Sequence, residues 1–377
     1  MTARSRTLPA AVSLALALAA TTLVVASAGA STPTTRPPAE KSVSAGMAAP
    51  LAATVTPRGV VPTITVTAVG DMCFDSSVRR LVASKGARAP FTSVRSVLSR
   101  ADVTVGNLEC ALSKRGRAVP GKTFTFQGPP SATNGLTWAG FDLLALGNNH
   151  ARDYGSVALQ DTVKNLDKAK IGHAGAGAGS KSAFRAAYIT RNGARIAFLS
   201  YSQIGPSSFK AGTHRAGTAY TQRFATVQKA IKAAHKKADY VIVSFHWGIE
   251  KRTSPTAQQV RFGRAAVQAG ADLVLSHHPH VIEGVEFYKN GLIAYSLGNF
   301  VFSPGSSVGH DTMILSLTLG RKGIRNVVAR PAHIDPYGRP VLAKGATRSR
   351  ILGIIKKTSR GRDTHVTVSD GVARLRK

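Results

Sequence analysis

Short runs that are apolar at almost every position constrain this chain most. Tyr240–Phe245 (YVIVSF) and Asp272–Ser276 (DLVLS) have the texture of strands covered on both faces of a sheet. Thr63–Val69, Asp102–Val105, Asp142–Leu146 and Arg195–Ser200 read as further strands. Helical periodicity falls between them, over Ser76–Ser84, Thr92–Arg100, Gly155–Lys168, Thr221–Lys237 and Pro255–Ala269, with Gly or Asp at most boundaries. After His280 the pattern changes to hairpins: Val285–Tyr288, Leu292–Ser296, Thr312–Leu319 and Ile324–His333. Asn290-Gly291 is expected to supply the positive φ angles of a tight turn. The expected fold is α/β, two sheets packed face to face with helices outside rather than one Rossmann-type sheet.

Composition excludes several alternatives. The 377 residues carry a formal charge of +32, yet 43% are hydrophobic, which is too many for a disordered polycation. Two cysteines are too few for a disulfide scaffold or a Cys-rich zinc module. Residues 1–30 read as an export signal: Arg4 and Arg6, an apolar run from Leu8 to Val25, then Ala26-Ser27-Ala28 or Ala28-Gly29-Ala30 for cleavage. Residues 31–60, rich in Pro, Thr, Ser and Ala, lack periodicity and read as a flexible tether. Residues 61–335 form the expected domain, and 336–377 a basic extension packed on it or trailing from it. No second membrane-spanning stretch follows the signal, so the protein is expected to be secreted or held at the cell surface.

The polar residues cluster where strands end. Thr63–Val69 runs into Gly70-Asp71, Asp102–Val105 into Gly106-Asn107-Leu108-Glu109, and Asp142–Leu146 into Gly147-Asn148-Asn149-His150. Tyr240–Phe245 ends at His246-Trp247-Gly248, and Asp272–Ser276 at His277-His278-Pro279-His280. Taken singly, Asp71 is a turn or helix cap, Glu109 a solvated acid, His150 a carbonyl cap and His246-Trp247 a core pair. Three imidazoles within four residues are harder to explain without a metal. Open α/β sheets bind ligands beyond the carboxyl ends of their strands, so five such ends can share one cleft. Carboxylate, amide and imidazole groups suit Mn, Zn or Fe, as one ion or two.

Together with Ser296-Leu297-Gly298-Asn299-Phe300, these motifs resemble the bacterial capsule synthesis protein CapA (poly-gamma-glutamate capsule) family, itself similar to the calcineurin-like metallophosphoesterases. The resemblance covers roughly residues 63–305. It implies a four-layer αββα sandwich of two mixed sheets with a dinuclear metal cleft. It also implies Asp71, Glu109, Asn149, His246, His278 and His280 as ligands, with Asn107 and His277 beside them and His150 as the acid that protonates a leaving oxygen. Phosphoesterases open with Asp-x-His, but Cys73 stands two residues after Asp71, and Glu109 occupies the place of a bridging aspartate. The first ion is therefore expected to be short of one imidazole.

Cys73 and Cys110 each sit beside an expected ligand, and a disulfide between them is expected to tie the two loops, restricting the unfolded chain by about 3–4 kcal/mol. The alternative is two free thiols, one of them a soft metal ligand. Residues 321–377 hold 15 Lys+Arg against 3 acids. There, the apolar Ile351–Ile355 reads as a last core strand or helix with a solvated basic rim. A charge of +32 attracts polyanions at low salt: polyglutamate, phosphate-bearing wall polymers or lipid headgroups. Aromatics at 6% and no recognition module argue against sequence-specific nucleic-acid binding. Two functions fit: a protein that holds an anionic polymer during capsule assembly, transfer or release, and a secreted metal-dependent phosphoesterase using His150.

Overall fold

The structure is a computed structural model and describes residues 61–303 and 309–377. The signal and tether expected over residues 1–60 lie outside the described residues. Along the chain, β1 (Ile64–Met72) leads through α1 (Ser76–Lys85) to β2 (Val103–Leu108). From there α2 (Ala132–Ala139), β3 (Leu143–Ala145), α3 (Gly155–Lys168) and β4 (Gly172–Ala174) follow. Next come the hairpin β5 (Ala187–Arg191) and β6 (Ala194–Ser202), then α4 (Phe224–His235), β7 (Tyr240–His246), α5 (Ala257–Gln268) and β8 (Leu273–His277). The later strands are β9 (Ile282–Tyr288), β10 (Gly291–Leu297), β11 (Asn299–Val301), β12 (Asp311–Gly320), β13 (Gly323–Ile334) and β14 (Pro340–Leu342). They are followed by α6 (Gly345–Ser359), β15 (His365–Ser369) and β16 (Val372–Arg376).

The strands form two mixed sheets. The first has the order β15-β16-β13-β12-β1-β2-β3-β4, with β11 also paired to β1 and β14 to β13. In it β1 to β4 run parallel, and β12, β13, β16 and β15 continue the sheet antiparallel. The second has the order β9-β10-β8-β7-β6-β5, a parallel centre of four strands with an antiparallel strand at each edge.

Because side chains alternate across a strand, each sheet feeds two cores. Ile64, Val66, Val103, Val105 and Leu143 of the first sheet meet Ile196, Phe198, Tyr240, Ile242, Leu273 and Leu275 of the second. The opposite face of the first sheet (Val69, Met72, Leu108, Leu144) is covered by α1, α2 and α3 through Val78, Leu136 and Leu159. That of the second (Val241, Val243, Phe245, Val274) is covered by α4 and α5 through Val227, Ile231, Phe262 and Ala266. The layers are therefore helix, sheet, sheet, helix. Ile351, Leu352 and Ile355 of α6 join the inter-sheet core, so the basic tail contributes a helix and two strands to the sandwich.

Two local expectations are corrected. The helix expected over Thr92–Arg100 shrinks to Arg95–Leu98. The Leu98 carbonyl accepts from the Thr104 hydroxyl (2.8 Å), and the Asp102 N–H, which would extend the helix, donates instead to Thr65 Oγ1 (3.0 Å). In the β9–β10 hairpin the turn residues are Lys289 and Asn290, with the positive φ (51°) at Lys289. Gly291 already belongs to β10, and a Cβ there would lie 2.7 Å from Val267 of α5, so its role is close packing.

Candidate metal centre

The inter-sheet stripe of each central strand turns polar at its carboxyl end. Val103 and Val105 are followed on the same face by Asn107; Leu273 and Leu275 by His277; Tyr240 and Ile242 by Ser244 and His246. In β1 plain alternation would place Asp71 on the helix side with Val69. A register shift between Ala68 and Asp71 returns Asp71 to the inter-sheet side. Gly70 permits this: a Cβ there would stand 1.8 Å from the Gly298 carbonyl oxygen, which accepts the Asp71 N–H at 3.0 Å.

The converging groups are buried. Asp71 and Glu109 are 0% exposed, His246 and His277 1%, and His278 5%. Asp71 Oδ1 lies 3.1 Å from His277 Nδ1 and accepts from Asn107 Nδ2 at 2.8 Å. Its Oδ2 lies 3.5 Å from His280 Nδ1 and accepts the His278 N–H at 3.2 Å. Asn107 Oδ1 in turn accepts from Asn148 Nδ2 at 3.0 Å, and Asn299 Oδ1 lies 2.8 Å from His280 Nδ1. His278 (φ 96°) and His280 (φ 59°) both adopt left-handed backbone.

The donor set fits a cation. Glu109 Oε1 and His246 Nε2 approach to 3.2 Å, yet neither has a hydrogen-bond partner; Asn149 Oδ1 and His278 Nδ1 are likewise buried and unpaired. Buried polar atoms are ordinarily satisfied, and lone pairs turned on a common point are what an ion requires. Glu109, His246 and His278 bring one ligand atom each within 4.8 Å of one another, and so do Asp71, Glu109 and His280. His277 and both cysteines take part in no such group among the described residues.

Electrostatics point the same way. Burial, reinforced by the Asp71 charge, pushes the Glu109 carboxyl well up. Burial acts upward on Asp71 too, but hydrogen bonds and charge from His277 and His280 hold it well below the usual carboxylate range. Burial and His278 push His246 well down, and burial and His280 push His278 down to about 4. Burial also opposes the charge on His280, yet Glu109 and Asp71 lift it to about 10. A divalent cation would take over the neutralising role of these protons, with both carboxylates ionised and the imidazoles neutral.

His150 stands at the cleft beside this set. Its Nδ1 is 2.6 Å from Asp153 Oδ2, and Lys122 Nζ donates to Asp153 Oδ1 at 2.6 Å. Phe126 covers the imidazole at a ring separation of 4.4 Å and donates its N–H to Asp153. Burial outweighs Asp153 and lowers the His150 pKa, which favours the neutral ring, and its Nδ1 lies within reach of both Asp153 Oδ2 and Lys122 Nζ (2.9 Å). Asp153 and Lys122 are the residues that the sequence reading missed, while Asn299, read only as part of the Ser296–Phe300 motif, lies against His280. The i,i+3 spacing of His150 and Asp153 is the one available signal, whereas Lys122 comes from a loop without periodicity.

The expected disulfide is not formed. Cys73 and Cys110 are free, buried thiols, and the Cys110 sulfur accepts the Phe74 N–H at 3.3 Å. Burial, with Cys110 adding to it, pushes the Cys73 thiol well up, so it is held protonated.

Residues 65–304 match the family described as "Bacterial capsule synthesis protein PGA_cap". The chain belongs to that family. It is 30% identical over 305 residues to "Capsule biosynthesis protein CapA" of Bacillus anthracis, covering 79% of this chain and 74% of that one. It is 29% identical to "PGA biosynthesis protein CapA" of Bacillus subtilis (strain 168), covering 80% of each. Among solved structures, Haemophilus influenzae NAD nucleotidase aligns at 12% identity and a TM-score of 0.42, over 78% of this chain and 63% of that one. A putative 5'-nucleotidase from Staphylococcus aureus aligns at 14% and 0.45, over 77% and 58%. For this capsule-synthesis family member, the motifs at Asp71, Glu109, Asn149, His246 and His278–His280 all fall inside the matched segment.

Proposed function

We propose that this protein handles an anionic cell-surface polymer, poly-γ-glutamate or a phosphate-bearing wall polymer, during capsule synthesis, transfer or release, through a divalent-metal cleft. Family membership and the +32 charge support the polymer, and the export signal read at residues 1–30 supports work outside the cell membrane. In the described residues no helix is long and apolar enough to cross a membrane. The observation that carries the metal reading is the buried trio Glu109, His246 and His278, each with an unpaired donor atom and with one ligand atom apiece within 4.8 Å of one another, beside which Asp71 and the half-buried His280 bring further ligand atoms to Glu109.

Asp71, Glu109 and His280 would hold one ion of Mn, Zn or Fe. Glu109, His246 and His278 would hold a second, with the unpaired Asn149 oxygen available as a further donor. Such ions supply Lewis acidity at the bond to be broken and make water a better nucleophile at neutral pH. Asp153 and Lys122 both contact His150 Nδ1, and Lys122 also donates to Asp153, so the pair orients the imidazole. His150, neutral at pH 7, takes up a proton and delivers it to the leaving atom, an amide nitrogen in a polyglutamate or an oxygen in a phosphoester. The second reading, a secreted phosphoesterase, draws on this same His150–Asp153 pair.

Metal analysis of the purified protein, with amide and phosphodiester hydrolysis assays, tests the proposal. One or two ions per chain are expected, and His150→Ala should cut turnover by about 10²–10⁴-fold without changing metal content. Metal without turnover, but with retention of polyglutamate that weakens on His246→Ala, assigns the cleft to binding. A chain without metal overturns the reading.

A further inference from the structure

On the outer face of the first sheet, the apolar stripes beneath the helices give way to polar residues. Along β12, Ile314 lies in the core under the helices, and Ser316 and Thr318 follow it half-buried. Along β13, Ile334 and Ala332 lie in that core, and Arg330 and Val328 follow half-buried. A register shift between Ser316 and Thr318, with Asn326 in left-handed backbone (φ 53°), brings Asn326 Nδ2 to 3.4 Å from Thr318 Oγ1. These residues, with Thr67 of β1 and the exposed Arg100, border a cavity of about 300 Å3 whose lining contains no carboxylate. Asp102, the acid nearest to Arg100 in sequence, is already engaged. Its Oδ2 accepts the Thr65 N–H and hydroxyl at 2.7 Å each, and its Oδ1 accepts from Asn192 at 2.6 Å.

We propose that this cavity binds one oxyanion group, a phosphate or a carboxylate, between the Arg330 and Arg100 guanidiniums and over a floor of hydroxyls. Arg330 Nη1 is buried and has no hydrogen-bond partner. A cationic group held this way is costly unless an opposite charge reaches it. Neither Arg330 nor Arg100 takes part in an ion pair among the described residues, whereas Arg374 is paired with Asp370 at 3.0 Å. Burial pushes the Arg330 pKa down, and Arg100 and Arg374 add to it, so the charges that reach this guanidinium repel it. The floor supplies donors as well. Thr67 Oγ1 and Ser316 Oγ lie 3.0 Å apart, so one hydroxyl donates to the other and the second keeps its hydrogen. Thr318 Oγ1 accepts from Asn326 and retains its own hydrogen. Arginine forks joined by neutral hydroxyls form a donor set suited to oxyanions. The volume lies at the lower end for ligand sites, enough for one such group rather than a length of polymer. This place is separate from the metal centre: Thr67 precedes Asp71 by about 13 Å of strand and faces the helix side of the sheet.

The test is calorimetric titration of the full-length protein with sodium phosphate and, separately, sodium glutarate, at an ionic strength of about 0.15 M, where the diffuse field reaches only about 8 Å. Arg330→Gln and Arg100→Gln are compared with Lys181→Gln, which removes the same charge from an exposed side chain outside the cavity. All are made in a His246→Ala background, so that the metal centre does not compete for phosphate. The background chain is expected to bind one phosphate. Arg330→Gln and Arg100→Gln should each weaken it by at least about 10-fold, the scale of a lost charge-assisted hydrogen bond, and Lys181→Gln should not. Without phosphate, Arg330→Gln should melt at or above the background chain; phosphate should raise the melting temperature of the background chain and not that of the variant. Should Arg330→Gln fail to fold, the exposed Arg100 still decides the matter. Binding of glutarate instead of phosphate, with the same dependence on the two arginines, identifies the group as a carboxylate and supports the site. If neither anion binds, or if Lys181→Gln weakens binding as much as the arginine variants do, the site is overturned while the metal reading stands.

Discussion

Glu283 lies three residues beyond His280 and is fully buried, with Gln259 Nε2 donating to one carboxylate oxygen at 2.7 Å and the other oxygen unpaired. Burial lifts its carboxyl to about 8, against Gln259, Arg252 and Arg362, which favour the charged form. The folded state therefore keeps a proton that the unfolded chain releases above about pH 4.5. Stability should be greatest below that pH, fall as pH rises through about 8, and level off beyond. Glu283→Gln keeps the bond from Gln259 and removes the titration. It should be nearly neutral at pH 4 and stabilise the protein by on the order of 5 kcal/mol at pH 9, read by urea denaturation at both pH values. Equal effects at the two pH values would refute the assignment. Residues of this kind are invisible in sequence, because Glu283 looks like any strand glutamate until its burial is known. The proposed ligands drew attention for the opposite reason: Asp71, Glu109, His246 and His278-Pro279-His280 interrupt apolar runs at points where nothing in a core calls for charge, and the structure brings them together. Asp153 and Lys122 contact His150, and no pattern in the sequence ties Lys122 to it.

Elements were most legible where hydrophobicity alone decides them. β7 and β8 start within a residue of expectation because a strand covered on both faces needs an uninterrupted apolar run. The β5 edge strand, alternating half-buried with exposed residues, lacks that signal and went unread, whereas in α6, with only one buried face, the apolar Ile351–Ile355 left strand and helix equally open. The shift in β1 was also hidden, since plain alternation turns Asp71 the wrong way. Its correction depends on the contact of Gly70 with Gly298. Gly70→Ala would force the two backbones apart where Asp71 N–H meets the Gly298 carbonyl. The expected outcome is a loss of at least about 2–3 kcal/mol in stability, with Asp71 displaced and one Mn2+ lost. A variant that melts like wild type and binds two ions would show that β1 does not need this contact.

Over the whole molecule, positive charge is spread across both outer layers of the sandwich. Arg80, Lys85 and Arg88, with Tyr337, line a cavity of about 760 Å3 beside α1, which covers the first sheet. Lys229, Lys232, Lys236 and Lys237 line another of about 510 Å3 along α4, which covers the second. A third of about 540 Å3 is bordered by Lys356, Lys357 and Arg360 at the end of α6. With cations on opposite faces, attraction for a polyanion is a property of the net field more than of one groove. That field extends about 10 Å at 0.1 M salt and about 3 Å at 1 M. Immobilised polyglutamate should therefore retain the protein at 50 mM salt and release it by roughly 0.5 M. The pair Arg80→Glu and Lys85→Glu, and the pair Lys229→Glu and Lys232→Glu, should each lower the eluting salt by a similar small step. His246→Ala, which empties a buried site without changing surface charge, should not move it. A single pair that abolished retention would replace the diffuse field with one docking groove, and a shift on His246→Ala would place the polymer at the metal cleft instead.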